Sequence, residues 1–259
     1  ISACLVGSEM CIRDRLFGGR SSEHSISSAT AGGVLGAIDR DRYAVIPVGI
    51  TREGAFVLED DDPSKFPLDA AHLPEVADNG TRVLWPEPGG DRTLRVVRQD
   101  GTVEGFGEID IVLPILHGTH GEDGTIQGYF DTLEVPYAGG GVLDSALCMD
   151  KHFMKITLRA AGLSVAPGIT VRSREWERDA ASVRASAVDL GMPLFVKPAR
   201  AGSSVGVSKV ERPDELDAAL AIAFAEDDKV LIESGVVGRE IEVAVLESCL
   251  LYTSDAADE

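Results

Sequence analysis

The stretch LFVKPARAGSSVGVSK, residues 194–209, concentrates side chains suited to holding an anion. An apolar run delivers Lys197, a turn of small residues (Ala201, Gly202, Ser203, Ser204) leads to Gly206, and a second β-branched run follows. Glycine and serine let backbone N–H groups approach phosphate oxygens closely, and a lysine supplies counter-charge. The pattern is not a Walker A loop, because the lysine precedes the glycines and GxxxxGK[ST] is absent. A plain β-hairpin with a flexible tip is the alternative reading.

Other candidates are more scattered. Lys151 and Lys155 are four residues apart, so on a helix they face the same way; alone they read more readily as two solvated lysines. Glu233 ends the apolar run VLIE, and Glu240 follows after a glycine-containing loop. Two such carboxylates could accept hydrogen bonds from an adenine amino group and ribose hydroxyls, or could simply solubilise an edge strand. Near the start, Gly18-Gly19-Arg20-Ser21-Ser22-Glu23-His24 leads into a helical pattern. Oriented N–H groups there favour a carboxylate ligand, and Glu23 could hold an ammonium group. No GxGxxG opens this helix, which weakens a dinucleotide reading. His117, His120 and Glu122 have loop-like spacing without a further well-placed ligand, so a substrate-contacting loop at a strand end is preferred to a metal site.

Elements that could position these groups follow from hydrophobic patterning. Residues 26–35 suit a helix packed closely on a sheet, and residues 43–50 and 109–116 read as buried strands. The polar tract 51–90 reads as a surface excursion, and LRVV with TVEGF across RQDG reads as a hairpin. Further on, helices are expected over 150–161, 174–190 and 213–225, and strands over 194–197, 205–210, 230–233 and 240–246. The fold class is therefore α/β plus α+β, with ligand groups after Phe17 and after Leu116 and a boundary near 139–141.

The chain has 259 residues, and 24 basic against 43 acidic side chains give a net charge of −19, which argues against nucleic-acid or anionic-membrane partners. Its 44% apolar content predicts a packed core. No run of about eighteen apolar residues or secretory signal is evident, which points to the cytoplasm. Cys4, Cys11, Cys148 and Cys249 show no CxxC or zinc-like spacing and read as reduced thiols.

Both ends look foreign. Residues 1–15 end in CIRDR, placing charges where a buried strand should deliver the chain to LFGG, and residues 248–259 follow a strand pattern that stops without turn or cap. Both resemble translated sequencing-adapter sequence. The expected organisation is 1–15 foreign tail, 16–140 N-terminal α/β substrate domain, 141–247 incomplete second domain and 248–259 foreign tail.

Together FGGRSSEHSIS, LHGTHGEDGTIQG, PYAGGGVLDSALCMDKHFMK, PLFVKPARAGSSVGVSKV and VLIESGVVGREIEVAVL, in this order, resemble the D-alanine:D-alanine ligase family of ATP-grasp enzymes. The resemblance implies a Rossmann-like N-terminal (pre-ATP-grasp) domain followed by a partial ATP-grasp domain. It implies ATP-dependent joining of two D-alanines through an acyl phosphate, for peptidoglycan precursor synthesis and cell-wall biogenesis, by a homodimer. By the same resemblance, Lys151 and Lys197 contact ATP phosphates, the turn holding Gly202, Ser203, Ser204 and Gly206 closes over them, Glu233 reaches adenine and Glu240 holds the ribose. Glu23 anchors the ammonium of the first D-alanine, Ser203 joins that network, and His117 and Glu122 lie in a loop bordering the pocket.

The family's remaining substrate loop, its phosphoryl-stabilising arginine and its ligands for Mg2+ (or Mn2+) have no counterpart in this chain, so an inactive fragment of an active enzyme is expected. Two alternatives stand beside it. One is a ligase joining D-alanine to D-lactate, and the other is a nucleotide-binding module without turnover.

Overall fold

The computed structural model of the chain describes residues 12–69, 71–241, 243, 245–247 and 251–253; the remainder of the two expected tails lies outside them. The first half runs β1 (Ile12–Gly18), α1 (His24–Ala37), β2 (Ile46–Ile50), β3 (Phe56–Leu58), β4 (Arg82–Leu84), β5 (Thr93–Val97), β6 (Val103–Glu108), β7 (Ile111–Pro114) and α2 (Thr125–Thr132). β1 lies inside a sheet of order β3-β2-β1-β7, parallel to both β2 and β7, while β4, β5 and β6 form a separate antiparallel meander. The chain thus leaves β1 toward β2 and later returns to its other side as β7. Such a switch of direction opens a crevice at the carboxyl ends of the strands, where Gly18 and Leu116 sit.

The expectation that residues 1–15 break the first strand is overturned for Ile12–Arg15. Asp14 pairs with Ile46 and Val112, and Arg15 with Pro47 and Leu113. A parallel ladder uses backbone N–H and C=O groups, which charged residues carry like any others. The penalty falls on the side chain instead: Arg15 is 2% exposed, and its Nε and Nη1 have no hydrogen-bond partner among the described residues. Burial, then the nearby Arg40 charge, lowers its pKa to about 10.

The tract 51–90 is also more than a surface excursion. Val57, Phe66 and Val76 are buried with Phe17, Ala31 and Leu35 on the α1 side of the sheet. Phe66 and Val76 have no large apolar neighbour in sequence and Val57 sits in the short apolar run FVL, so no periodic signal announces them, yet each reaches inward. Phe66 meets Phe17 edge to face at 4.9 Å, and Gly32 leaves room for it, since a Cβ there would lie 2.1 Å from the Phe66 carbonyl.

The second half runs α3 (Val142–Met149), α4 (Lys151–Ala160), β8 (Gly168–Arg172), α5 (Ser173–Arg178), α6 (Ala180–Val188), β9 (Leu194–Pro198), β10 (Ser208–Val210), α7 (Leu216–Glu226), β11 (Lys229–Ser234), β12 (Val245–Glu247) and β13 (Leu251–Thr253). The antiparallel sheet has order β10-β9-β11-β8. Leu194, Val196, Val230 and Ile232 on one face pack with Leu216, Leu220 and Ala223 of α7. That leaves Lys197, Leu231 and Glu233 on the opposite face, by the two-residue alternation of strands.

Several expected boundaries change. The helix over 174–190 is two, because Asp179 leaves helical geometry at φ −151 and caps α6 by accepting from the Ser182 N–H at 3.0 Å. β8 is an additional strand. The strand over 205–210 begins only at Ser208, since Gly206 still belongs to the turn at φ +70. In the region of the strand expected over 240–246, the strand among the described residues is β12, which pairs with β13 inside the segment read as a tail.

Candidate active site

At the ends of β1 and β7, two glycine turns are stitched together. Gly18 adopts φ +85, and a Cβ there would fall 2.4 Å from the Ile50 carbonyl, so only glycine fits. Ser21 Oγ donates to the His117 carbonyl at 2.7 Å and accepts from the Glu23 N–H at 3.0 Å. His24 is fully buried; its Nε2 accepts from the Val76 N–H at 3.0 Å, which leaves Nδ1 to donate to the Gly19 carbonyl at 2.6 Å. These bonds hold Glu23 at the start of α1 without using its carboxylate.

That carboxylate is 7% exposed and points to the other half of the chain. Ser203 Oγ donates to Glu23 Oε1. Glycines let the backbone close in from both sides: a Cβ on Gly118 would lie 2.5 Å from Glu23 Oε2, and one on Gly202 would lie 2.9 Å from it. Ser203 and Ser204 both adopt positive φ, +46 and +59, unusual for residues with a Cβ. Consecutive strained residues held in place by the surrounding structure are common where a loop binds a ligand.

Beside this loop a group of lysines converges. Asp150 caps α4, accepting from the N–H groups of His152 and Phe153, and its carboxylate pairs with the buried ammonium of Lys229. The Lys151 N–H donates to the Ala199 carbonyl at 3.0 Å, and its Nζ donates to the Ala201 carbonyl at 2.5 Å, which fixes the lysine against the loop. Burial, then the Lys197 charge, pushes the Lys151 pKa below its ordinary value. Lys197 of β9 reaches Glu233 Oε2 at 2.5 Å, and Lys155 of α4 reaches Glu233 Oε1 at 2.6 Å. Counting Lys151, Lys155, Lys197 and Lys229 against Asp150 and Glu233, the group is cationic in a chain of net charge −19. Such a local excess suits a polyanionic ligand.

Residues 15–140 match the family described as D-ala D-ala ligase N-terminus, and residues 157–256 match D-ala D-ala ligase C-terminus. The D-alanine--D-alanine ligase of Paenarthrobacter aurescens (strain TC1) is 53% identical over 232 residues, covering 90% of this chain and 61% of that protein. The enzyme of the same name from Streptomyces coelicolor is 47% identical over 241 residues. Among solved structures, the D-alanine-D-alanine ligase from Coxiella burnetii aligns with TM-score 0.79 at 31% identity, over 95% of this chain and 68% of that one. The VanG D-Ala:D-Ser ligase from Enterococcus faecalis aligns with TM-score 0.75 at 33% identity, over 93% and 67%. The chain belongs to the D-alanine–D-alanine ligase family. It spans about 61% of the length of the curated relatives it matches. An N-terminal domain followed by a partial ATP-grasp unit describes its two halves.

For a member of this family, the structure brings Glu23, Ser203 and Gly202 together, and Lys151, Lys197 and Glu233 together. Gly206 closes the loop end, where a Cβ would lie 2.7 Å from Pro198. Glu240 is exposed and makes no hydrogen bond or ion pair among the described residues. Glu122 is exposed and turns back on its own loop, accepting from the Gly118 N–H at 2.7 Å. His117 presents a buried Nε2 that has no partner among the described residues, and lines a cleft of about 270 Å3 with Gly19, Arg20, Leu116, Thr119 and Tyr129. Glu23 is not part of that lining. Among the described residues, no three His, Cys, Asp or Glu side chains converge to hold a metal ion.

Lys155, Lys229 and His24 complete the site, and sequence reasoning did not assign them a part. Lys155, paired with Lys151 by spacing, reads more readily as solvated. The signal for Lys229 would have been a lysine directly before the fully apolar run VLI, and for His24 its place between Glu23 and a helix of small residues.

Proposed function

We propose that the protein carrying these residues is a D-alanine–D-alanine ligase that uses ATP, acts in peptidoglycan precursor synthesis in the cytoplasm, and works as a homodimer. The observation that carries this reading is the Ser203 to Glu23 hydrogen bond, which joins the anion-binding loop of one half to the ammonium-binding carboxylate of the other. Nucleotide phosphates held by Lys151, Lys197 and the loop would then lie next to an amino acid held by Glu23. D-Alanine is a neutral zwitterion; Glu23 matches its ammonium, and a buried ammonium needs such a charged partner.

In the proposed reaction a carboxylate oxygen of the first D-alanine attacks the γ-phosphorus and ADP leaves, giving an acyl phosphate. The amine of the second D-alanine then attacks the acyl carbon, inorganic phosphate leaves, and the nitrogen loses a proton. Lys151 and Lys197 neutralise charge developing on the transferred group, and the loop excludes water from the acyl phosphate. A divalent ion, Mg2+ or Mn2+, would neutralise phosphate charge in such a transfer, and among the described residues no three His, Cys, Asp or Glu side chains converge to hold it. The 259-residue chain is accordingly proposed to bind ATP without turnover. The amine nucleophile is favoured over D-lactate by curated relatives named as D-alanine--D-alanine ligases at 53% and 47% identity.

Titration calorimetry on the 259-residue chain tests this reading. ATP is expected to bind saturably, and D-alanine, not L-alanine, is expected to bind the ATP-loaded chain, with Glu23→Gln abolishing only the second event. A chain that binds no ATP, or takes both enantiomers alike, would overturn it. Dipeptide release from D-alanine and ATP by this chain would overturn the lack of turnover.

A further inference from the structure

Glu233 carries one ammonium on each of its oxygens. Its side chain is only 4% exposed, with Lys155 Nζ at 2.6 Å from Oε1 and Lys197 Nζ at 2.5 Å from Oε2. If Lys197 is to meet phosphates and Glu233 is to meet an adenine, as the reading above requires, this arrangement cannot persist. Lys197 must leave, and a buried carboxylate left without a partner is strongly unfavourable. We propose that Lys155 is the standing counter-ion of Glu233, a positioning residue that lets Lys197 depart for the nucleotide's phosphates and so uncovers Oε2 as the acceptor for the adenine amino group. The inference rests on the nucleotide reading and adds an order of events: phosphate capture opens base recognition.

The two lysines are mounted differently, which suits a division of labour. Lys155 projects from α4, whose first turn is fixed by the Asp150 cap and the buried Lys229. Lys197 sits on β9 beside the loop, with a side chain 25% exposed against 19% for Lys155. Glu233 and Lys155 line a cavity of about 130 Å3 with Leu231, Ile169 and Gly168; Lys197 does not line it. Glycine at 168 is required there, since a Cβ would lie 2.9 Å from Glu233 Cγ. The charged or titratable groups around Glu233 are Lys155, Lys151, His152 and Arg159 from α4 and Lys197 from β9, whereas β8 contributes Gly168, Ile169 and Thr170. A carboxylate oxygen accepts from the amino group of adenine and is repelled by the carbonyl oxygen that guanine presents at the same position.

Proton linkage separates this role from a general loss of positive charge. The 259-residue chain and its Lys155→Met, Lys155→Arg and Lys155→Met/Glu233→Gln variants are titrated with ATP and with inorganic tripolyphosphate near pH 8, in two buffers of different ionisation enthalpy. In Lys155→Met, the carboxylate abandoned by Lys197 has to be neutralised at the expense of a proton from solution, so each ligand is expected to bind on the order of a thousandfold more weakly and to take up more protons than with the unmodified chain. Lys155→Arg should behave like the unmodified chain, and the double variant should take up no extra proton. Circular dichroism confirms that each variant is folded. If folded Lys155→Met binds these anions with no extra proton uptake, this inference fails and the nucleotide reading stands. If the unmodified chain binds neither ATP nor tripolyphosphate, both fail.

Discussion

Lys229, at the start of β11, buries its ammonium against the Asp150 carboxylate at the cap of α4, 79 residues earlier in the chain. The same ammonium lies 4.7 Å from the Phe153 ring centroid. One ion pair therefore fixes the helix that carries both Lys151 and Lys155. Removing one partner leaves a buried charge, so Lys229→Met is expected to cost about 3–5 kcal/mol in urea unfolding. It should also weaken ATP binding, because Lys151 loses its mount. A variant as stable as the parent would show that the pair contributes little.

Gly118 carries two constraints at once. Its φ is +72, and an added Cβ would approach Glu23 Oε2 to 2.5 Å. Gly118→Ala is therefore expected to lose about 1–2 kcal/mol from the left-handed backbone alone, and to displace the carboxylate as well. D-Alanine binding should fall more than ATP binding, which calorimetry can separate.

The parts of this site that the sequence displays are those whose residue types are unusual for their place. Glycines and serines between two apolar runs announced the loop holding Gly202, Ser203 and Gly206, and a carboxylate after a double glycine announced Glu23. β9, β11, α4 and α7 were legible because their apolar patterns mark them. Val57, Phe66 and Val76 were not, since a three-residue apolar run and two isolated apolar residues in a polar tract carry no period. The place of Lys229 before the apolar run VLI hints at burial, but its partner Asp150 is brought near only by the fold. Charges in CIRDR hid β1, whose ladder is backbone chemistry and is indifferent to them. Glu240, assigned by resemblance, lies exposed and away from the lysine group's hydrogen bonds.

Arg15 shows what those charges cost. Its guanidinium is 2% exposed, with Nε and Nη1 unpartnered among the described residues, in a strand position flanked by Pro47 and Leu113. Replacing it by leucine exchanges an unsatisfied polar group for an apolar one, so Arg15→Leu is expected to stabilise the chain by about 1–3 kcal/mol. The sign with pH follows from a folded pKa near 10, below the ordinary value for arginine. Between these the unfolded chain binds more protons, so this group's penalty is fully present below pH 10 and is relieved as pH rises through that window. Thermal melts at neutral pH that show no gain for Arg15→Leu would refute the argument.

Asp227 sets the opposite trend in acid. Burial pushes its carboxyl up, but hydrogen bonds from the Arg200 side chain, from the Lys229 N–H at 3.0 Å and from the Arg200 N–H at 2.8 Å outweigh it and hold the pKa below the ordinary carboxylate value. A depressed folded pKa gives stability that is present above the unfolded value, near 3.9, and is lost as pH falls through the folded one. Asp227→Asn keeps the shape and removes the charge. It should be less stable at neutral pH by about 1–3 kcal/mol, and its stability should fall less steeply as the pH drops below about 4. Parallel acid limbs in urea titrations of the two proteins would show that Asp227 does not drive the acid loss. Because Asp227 also anchors the Lys229 N–H beside the Asp150 pair, its substitution should weaken ATP binding at neutral pH as well, linking acid stability to the lysine group that meets the nucleotide.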